Sequence, residues 1–252
     1  MTNPKTSWGE FAGWYDQLLE YDADTYQRTV ILPNLIRLLN VKKGEVVLDL
    51  ACGQGFFTRA INKLGGWAIG IDISPELIRI AQKNSPKEIK FHVAPAANMS
   101  FLKNDSVQKI ISVLAIQNIE NIKVVFEECR RILKPAGKLL MVLNHPAFRI
   151  PQKSSWEWDE KNKIQYRRID GYLSESKVKI QMHPGDQPKD YTLSFHRSLQ
   201  TYFKNLKNVG FTVSGLEEWI SNKKSQPGAR AAAENSIRKE IPLFLFLEAI
   251  KK

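Results

Sequence analysis

Short apolar runs alternate with amphipathic stretches along the first 145 residues, which predicts strands separated by helices. Val46–Leu50 and Trp67–Asp72 are two such runs, and neither shows the alternation of a strand with one wet face. Three further strands are predicted over Ile89–Val93, Lys109–Leu114 and Lys138–Leu143, with an amphipathic helix over Ile122–Leu133. Strands that alternate with helices favour a mostly parallel sheet with crossover connections.

Helices are predicted at the start of the chain, over Ser7–Glu20 and Tyr26–Leu39, and Pro33 is expected to kink the second. Near the end, the pattern predicts a helix over Leu199–Val209, a strand over Phe211–Trp219 and a final strand over Pro242–Ala249.

The core pattern stops between the fifth strand and residue 197. Short antiparallel strands are predicted at Gln165–Tyr172, Lys177–Met182 and Tyr191–His196, within a segment rich in aromatic residues and proline. We interpret residues 146–197 as an inserted cap, and Gln226–Glu240 as a second insertion that forms an exposed basic helix.

The segment Asp49-Leu-Ala-Cys-Gly-Gln-Gly55 carries the clearest chemical signal. Gly53 and Gly55 allow a sharp turn and a close approach of the backbone to a ligand. The second strand ends in Asp72, about where doubly wound folds place the carboxylate that binds a ribose. A nucleotide-sized site is therefore predicted after the first strand.

Two departures from the dinucleotide-binding fingerprint indicate which nucleotide binds. Thr58 stands where a dinucleotide fingerprint has its third glycine, and Asp49 would repel a pyrophosphate. A carboxylate there suits a ligand with an ammonium group. S-adenosylmethionine (SAM) has an ammonium group and a ribose and lacks phosphate.

These residues resemble the class I SAM-dependent methyltransferase family. The resemblance continues through Gly70-Ile-Asp72 and through Phe126–Gly137, Phe-Glu-Glu-Cys-Arg-Arg-Ile-Leu-Lys-Pro-Ala-Gly. It implies a Rossmann-like, seven-stranded, mostly parallel sheet with an antiparallel last strand. It also implies a single methyltransferase domain over residues 1–252, made of an N-terminal helical cap (1–40), a SAM-binding core (41–145), a substrate cap (146–197) and the rest of the core (198–252).

The resemblance also implies roles for individual residues. Asp72 would accept the ribose hydroxyls, Asp49 would orient the ammonium group, and Ile73 would pack on the adenine. The remaining cofactor-binding candidates are Ala51, Gly53 and Gly55 in the turn, Ala96 for its N–H to the adenine, Leu114 after the fourth strand, and Tyr15 and Tyr26, which either close over SAM or are packing residues.

Two positions depart from the family. Pro95 replaces the acid that accepts from the adenine amino group, which leaves Asn98 or water as the acceptor. Leu114–Asn118 lacks the Asn/Asp-Pro-Pro-Tyr/Phe signature of the amine and adenine methyltransferases, which argues against base N-methylation.

Candidate groups for the methyl acceptor come from the fifth strand and the cap. His145 is either a general base or a cap on the strand end. Arg149 or Arg197 either pairs with an acidic substrate or is solvated. The aromatic residues form either a wall for a planar substrate or a satellite core: Trp156, Trp158, Tyr166 and Tyr172.

The net charge of +11 raises the question of nucleic acid, but the cations are spread along the chain and form no basic block. Cys52 and Cys129 fit no metal spacing and are expected to be reduced thiols, and no metal site is expected. The absence of a long apolar run and of a signal pattern predicts a cytoplasmic protein without a membrane partner.

We therefore expect a SAM-dependent methyltransferase that acts on a small molecule, with O- or C-methylation ahead of N-methylation. The alternatives are an RNA or protein methyltransferase and a SAM-binding regulatory protein without turnover.

Overall fold

The computed structural model describes residues 7–181 and 191–252. It contains a seven-stranded sheet in the order β10-β11-β5-β4-β1-β2-β3 and two antiparallel strand pairs outside it. The strands are β1 (Val46–Leu50), β2 (Trp67–Asp72), β3 (Lys90–Val93), β4 (Val107–Val113), β5 (Leu133–Asn144), β6 (Ser154–Asp159), β7 (Ile164–Ile169), β8 (Ser176–Gln181), β9 (Tyr191–His196), β10 (Phe211–Trp219) and β11 (Phe244–Lys251).

The helices cover both faces of this sheet. They are α1 (Ser7–Glu10), α2 (Ala12–Tyr21), α3 (Leu32–Leu39), α4 (Phe56–Lys63), α5 (Pro75–Lys83), α6 (Ile122–Ile132), α7 (Leu199–Asn208) and α8 (Ala231–Ile237). Two buried apolar clusters, one built around Phe126 and the other around Ile31 and Phe57, fill the space between helices and sheet.

The parallel part of the sheet has β1 at its centre. β1 pairs with β2 and with β4 in parallel register, with Leu48 opposite both Ile69 and Ile110. Residues on both faces of β1 are buried, which explains why its sequence is an apolar run without alternation. The carboxyl ends of β1, β2 and β4 consequently lie at one edge of the sheet.

The other end of the sheet is antiparallel. β11 pairs antiparallel with β5 and with β10, so the last strand runs against its neighbours and confirms the predicted fold class.

The N-terminal helices differ in detail from the two that were predicted. The first is broken at Phe11 into α1 and α2. The second begins as a π-helical turn over Gln27–Ile31 and becomes α-helical from Leu32. Pro33 lacks an N–H and crowds the preceding turn, which accounts for the change of helix geometry there.

The segment between β5 and α7 forms two hairpin-like pairs, β6 with β7 and β8 with β9. The predicted strands correspond to β7, β8 and β9, although Met182 lies outside the described residues. β6 was not predicted. Hydrogen bonds tie the segment to the core, since the hydroxyl of Tyr172 accepts from Leu199 N at 3.1 Å.

The second insertion is also helical, but α8 is shorter than predicted. Its seven residues contain no lysine or arginine, and the basic residues flank it. Arg230, for example, stacks on Trp158 at 4.6 Å from the ring centroid and so attaches this insertion to the first hairpin.

The packing of β2 against β3 requires a glycine at position 70. A Cβ there would lie 2.5 Å from Cδ1 of Phe91 and 2.9 Å from Sγ of Cys52. We therefore expect Gly70→Ala to lower the free energy of unfolding by about 2 kcal/mol, the usual cost of overpacking. Gly215→Ala is the matched control, because its Cβ would meet only Cβ of Glu248 at 3.4 Å. Denaturant unfolding measures both, and equal stabilities would contradict the packing argument.

Candidate SAM site and adjoining cavity

A cavity of about 350 Å³ lies at the carboxyl ends of β1, β2 and β4. Open α/β sheets bind their ligands in this position. It is lined by Trp8, Leu19, Asp49, Ala51, Cys52, Gly53, Phe56, Phe57, Asp72, Ile73, Leu77, Ala94, Pro95, Ala96, Ala97, Val113, Leu114, Ala115, Asn118, Ile119 and Glu120.

The turn after β1 shapes one wall of this cavity. Ala51, Gly53 and Gly55 all have left-handed backbones, with φ of 58°, 56° and 83°. Gly55 does not line the cavity, and its role is packing, because a Cβ there would lie 3.0 Å from the Phe91 ring. The turn closes with a hydrogen bond from Gly55 N to Cys52 O at 3.0 Å, and α4 begins at the next residue.

Asp72 lies at the end of β2 with only 7% of its surface exposed. Its Oδ2 accepts from Gly53 N at 3.0 Å and its Oδ1 accepts from Ser74 N at 2.9 Å. Burial raises the pKa of this carboxyl, against the effect of the two backbone hydrogen bonds. Each carboxylate oxygen has a further lone pair, so both can still accept from a ligand hydroxyl.

Asp49 is still more deeply buried and lies at the end of β1. Its Oδ2 accepts a hydrogen bond of 2.6 Å from the hydroxyl of Thr58. Burial, reinforced by the charge of Asp72, raises the pKa of Asp49 to about 7. Thr58, which replaces the third glycine of a dinucleotide fingerprint, thus has a structural partner in the site.

The N-terminal helices form the opposite wall through Trp8 and Leu19. An ion pair between Arg59 and Glu20 joins α2 to α4. Arg59 also donates to the carbonyl of Gln54, inside the glycine turn, at 2.8 Å. The helical wall is therefore anchored to the turn that shapes the cavity.

The end of the cavity at which the sequence analysis expects the adenine is apolar. Ile73, Pro95 and Ala96 line it, whereas Asn98 does not: its Oδ1 accepts from Ser100 N at 3.2 Å. After β4, Leu114 lines the cavity with a left-handed backbone of φ 55° and donates its N–H to Val142 O at 2.7 Å.

The two tyrosine candidates are not placed in the cavity: one lies elsewhere and the side chain of the other is undescribed. The hydroxyl of Tyr26 contacts Ser221 Oγ at 2.9 Å, and its ring packs on Phe244. Tyr15 lies in α2, but its side chain is outside the described part of the structure.

His145 is not brought to the cavity. Its Nε2 lies 2.7 Å from Oε1 of Glu218, and its Nδ1 accepts from the N–H groups of Ala147 and Phe148 at 3.2 and 3.3 Å. Acceptance at Nδ1 puts the proton of the neutral ring on Nε2, so neither nitrogen is left as a base. These are the contacts of a cap on the strand end, and burial lowers the pKa of the imidazole.

A second cavity, of about 460 Å³, lies between the inserted strands and the carboxyl end of β5. It is lined by Gln117, Asn144, Pro146, Arg149, Pro151, Gln152, Lys179, Ile180, Gln181, Ser194, Phe195, His196, Arg197 and Tyr202. Gln117 belongs to the segment 114–120, which also contributes Leu114, Ala115 and residues 118–120 to the first cavity, so this segment separates the two cavities. The aromatic residues predicted as a wall, Trp156, Trp158, Tyr166 and Tyr172, line neither cavity.

The first cavity fits SAM by the chemistry of its groups. Two buried carboxylates, whose raised pKa values reflect the cost of burying their charge, offer partners for an ammonium group and a vicinal diol. The rest of the lining is mainly apolar, and none of the residues named above as lining it is lysine or arginine, so a phosphate group would find no cationic partner there.

Comparisons with known proteins indicate the class of protein. A family model described as a methyltransferase domain matches residues 48–141. A ubiquinone biosynthesis O-methyltransferase from Xanthomonas oryzae is 26% identical over 129 residues, 48% of this chain and 54% of that protein. A demethylmenaquinone methyltransferase from Tropheryma whipplei is 33% identical over 112 residues, 44% of this chain and 46% of that protein. The chain thus spans about half the length of these curated relatives.

The crystal structure of a SAM-dependent methyltransferase from Mesorhizobium loti superposes with a TM-score of 0.70 and 25% identity, covering 87% of this chain and 96% of that one. Fold and site together define a Rossmann-like α/β protein of the methyltransferase type. Residues 48–141 of the chain match a methyltransferase domain, and the fold is similar to that of a class I SAM-dependent methyltransferase, an enzyme class whose cofactor is SAM.

Sequence reasoning missed several residues of the cavity wall. Phe56 and Phe57 follow the glycine turn directly, and this position was the available signal. Trp8, Leu19 and Glu120 come from segments whose position relative to the sheet no local pattern specifies.

Within residues 7–181 and 191–252, no helix has the length and apolar character to cross a membrane.

Removal of the Asp72 carboxylate should weaken SAM binding by about 2–3 kcal/mol, the scale of hydrogen bonds to a charged group. Calorimetry of Asp72→Ala should therefore show an affinity lower by roughly 30- to 150-fold. Asp72→Asn keeps one acceptor oxygen, so its SAM affinity should lie between those of Asp72→Ala and the wild type. Unchanged affinity in a variant that unfolds cooperatively would remove Asp72 from the site.

Asp49 should make stability and SAM binding respond to pH in opposite directions. Its pKa of about 7 in the fold lies above its ordinary value of 3.8. The folded state therefore binds more protons, and its stability falls as the pH rises from about 4 through about 7.

Asp49→Asn should remove that loss and raise the free energy of unfolding at pH 8 by about 2 kcal/mol, while weakening SAM binding at least tenfold. Thermal unfolding between pH 5 and 8 and calorimetry test the two effects. A variant that is less stable than the wild type at pH 8 would contradict the assigned ionisation.

Proposed function

We propose that this protein transfers a methyl group from SAM to a small-molecule acceptor, with oxygen or carbon as the methylated atom. The observation that carries the proposal is the pairing of two cavities across the segment 114–120. The first has the carboxylates for SAM, and the second is large enough for a small organic molecule. Relatives named for ubiquinone biosynthesis and demethylmenaquinone methylation support a small-molecule acceptor.

In this proposal each carboxylate binds one polar end of SAM. Asp49 takes the ammonium group, and Thr58 holds its side chain in place. Asp72 takes the ribose hydroxyls, and the N–H groups of Gly53 and Ser74 fix its orientation. Ile73 packs on the adenine, and Ala96 offers its N–H.

When bound, SAM supplies a methyl group on a positively charged sulfur, which is already activated towards a nucleophile. The protein then needs mainly to position the acceptor and to exclude water. Trp8 and Leu19 of the N-terminal helices close one side of the site. Residues 146–197 act as the substrate cap, and its strands β8 and β9 contribute to the wall of the second cavity.

No general base is required where the acceptor atom is already nucleophilic. Both ring nitrogens of His145 form hydrogen bonds that cap the end of β5. Methyl transfer then relies on how the protein positions the acceptor. The net charge of +11 is the one feature that favours an RNA acceptor.

Transfer of labelled methyl from SAM to fractions of small metabolites, RNA and protein tests the proposal. We expect label in the small-molecule fraction, loss of label with Asp72→Ala, and only salt-sensitive association with RNA without methyl incorporation. Stoichiometric label in RNA or protein would replace the small-molecule acceptor. SAM binding without transfer to any fraction would favour a regulatory protein.

A further inference from the structure

Among the described residues, the lining of the second cavity carries positive charge without a matching negative charge. Arg149, Lys179 and Arg197 line it, and none of the described residues around it is aspartate or glutamate. The described structure contains no ion pair for any of the three. On the same strand as Lys179, by contrast, Lys177 pairs with Glu120 at 3.0 Å.

Arg197 is the most deeply placed of these cations, with 6% of its surface exposed. Its Nη2 donates to the carbonyls of Ile119 and Glu120 at 3.0 and 2.5 Å. Its guanidinium also lies 5.3 Å from the ring centroid of Phe195. Its Nη1 is buried and has no hydrogen-bond partner among the described residues.

The partners of Arg197 do not neutralise its charge. Two are carbonyls, one is the aromatic ring of Phe195, and the fourth is the phenol of Tyr202. The phenol of Tyr202, beside the guanidinium, stays protonated, because burial raises its pKa to about 12. Burying a charge that no described carboxylate pairs with is costly, and an anionic ligand would relieve that cost.

The other groups of the cavity suggest the rest of the ligand. Phe195, Ile180 and Pro146 offer apolar surface. Oε1 of Gln117, on the segment shared with the first cavity, is buried without a partner among the described residues. It would accept a hydrogen bond from a hydroxyl or amine on the same ligand.

We infer that the second cavity binds the methyl acceptor by an anionic group, a carboxylate or a phosphate on an apolar body, paired with Arg197 and supported by Lys179 and Arg149. This inference rests on the proposed function for the role of the ligand as methyl acceptor. Arg197 holds the carbonyls of residues 119 and 120, which line the first cavity, so the anion also contacts the residue that fixes the wall between the two cavities.

Binding of small probes tests the inference on the full chain in the presence of SAM. Benzoate and phenyl phosphate are the anionic probes, and benzamide is the uncharged match for benzoate. We expect benzoate or phenyl phosphate to bind at least tenfold more tightly than benzamide, by calorimetry or ligand-observed NMR, since a charged hydrogen bond is replaced by a neutral one. The anion that binds more tightly shows whether the site prefers a carboxylate or a phosphate group.

Two variants and a control locate the binding. Lys179→Gln changes an exposed side chain and should weaken the preferred anion about three- to tenfold without affecting benzamide. Arg197→Lys, which keeps the charge but loses the planar fork, should weaken it at least tenfold. Lys161→Gln makes the same charge change in the turn between β6 and β7, lines neither cavity and should leave binding unchanged.

Equal binding of benzoate and benzamide, no anion binding at millimolar concentration, or equal effects of Lys179→Gln and Lys161→Gln would each overturn the inference. SAM affinity is measured separately on every variant. Normal SAM binding together with methyl transfer to an uncharged acceptor would refute the anionic site alone, whereas absent SAM binding would refute the proposed function.

Discussion

The structure depends on two carboxylates buried at adjacent strand ends. Asp49 is the last residue but one of β1 and Asp72 is the last residue of β2. The two strands pair in parallel, so the two side chains share one edge of the sheet and one cavity. Burying them raises both pKa values and destabilises the free protein at neutral pH. The glycine turn, Thr58 and the N–H of Ser74 supply the hydrogen bonds that offset part of this cost. A loss of stability of this kind is typical of a binding site.

The surrounding elements can be understood as support for that edge. The N-terminal helices are tied to the glycine turn by Arg59 and Glu20, and they close the cavity from the side opposite to the sheet. The segment 114–120 separates the first cavity from the second, and Arg197 fixes it from the far side. The first cavity thus combines acidic groups with an apolar lining, while the second is cationic. This contrast fits a cationic cofactor and an anionic acceptor held side by side.

The central fold could be predicted from the sequence because its signals are local. The apolar runs of β1 and β2 have the predicted bounds, since strands buried on both faces need no partner to be recognised. β6 escaped prediction because Ser154–Asp159 mixes polar and aromatic residues, all of them half-buried in the fold. The strand could be recognised only through its pairing with β7.

Some residues of the candidate site could likewise be predicted from the sequence, and others could not. Asp49, Asp72 and the turn follow from spacing along the chain. Tyr26 does not, because its partner Ser221 is 195 residues away and draws it to another surface. His145 has the position of a catalytic base, but Glu218 and two backbone N–H groups engage it, and no linear pattern reveals those contacts. Long-range packing decides which chemically capable residues face the cavity.

The account is tested most directly by the protons exchanged when SAM binds at pH 6.5. Calorimetry in buffers of different ionisation enthalpy counts them. Asp49, with a pKa of about 7, is then mostly protonated in the free protein, and it must ionise to hold an ammonium group. We predict the release of about half a proton or more on binding to the wild type, and release close to zero for Asp49→Asn. Binding of SAM to the wild type without proton release, or equal release from both proteins, would contradict the claim that a buried carboxyl at Asp49 receives the cofactor.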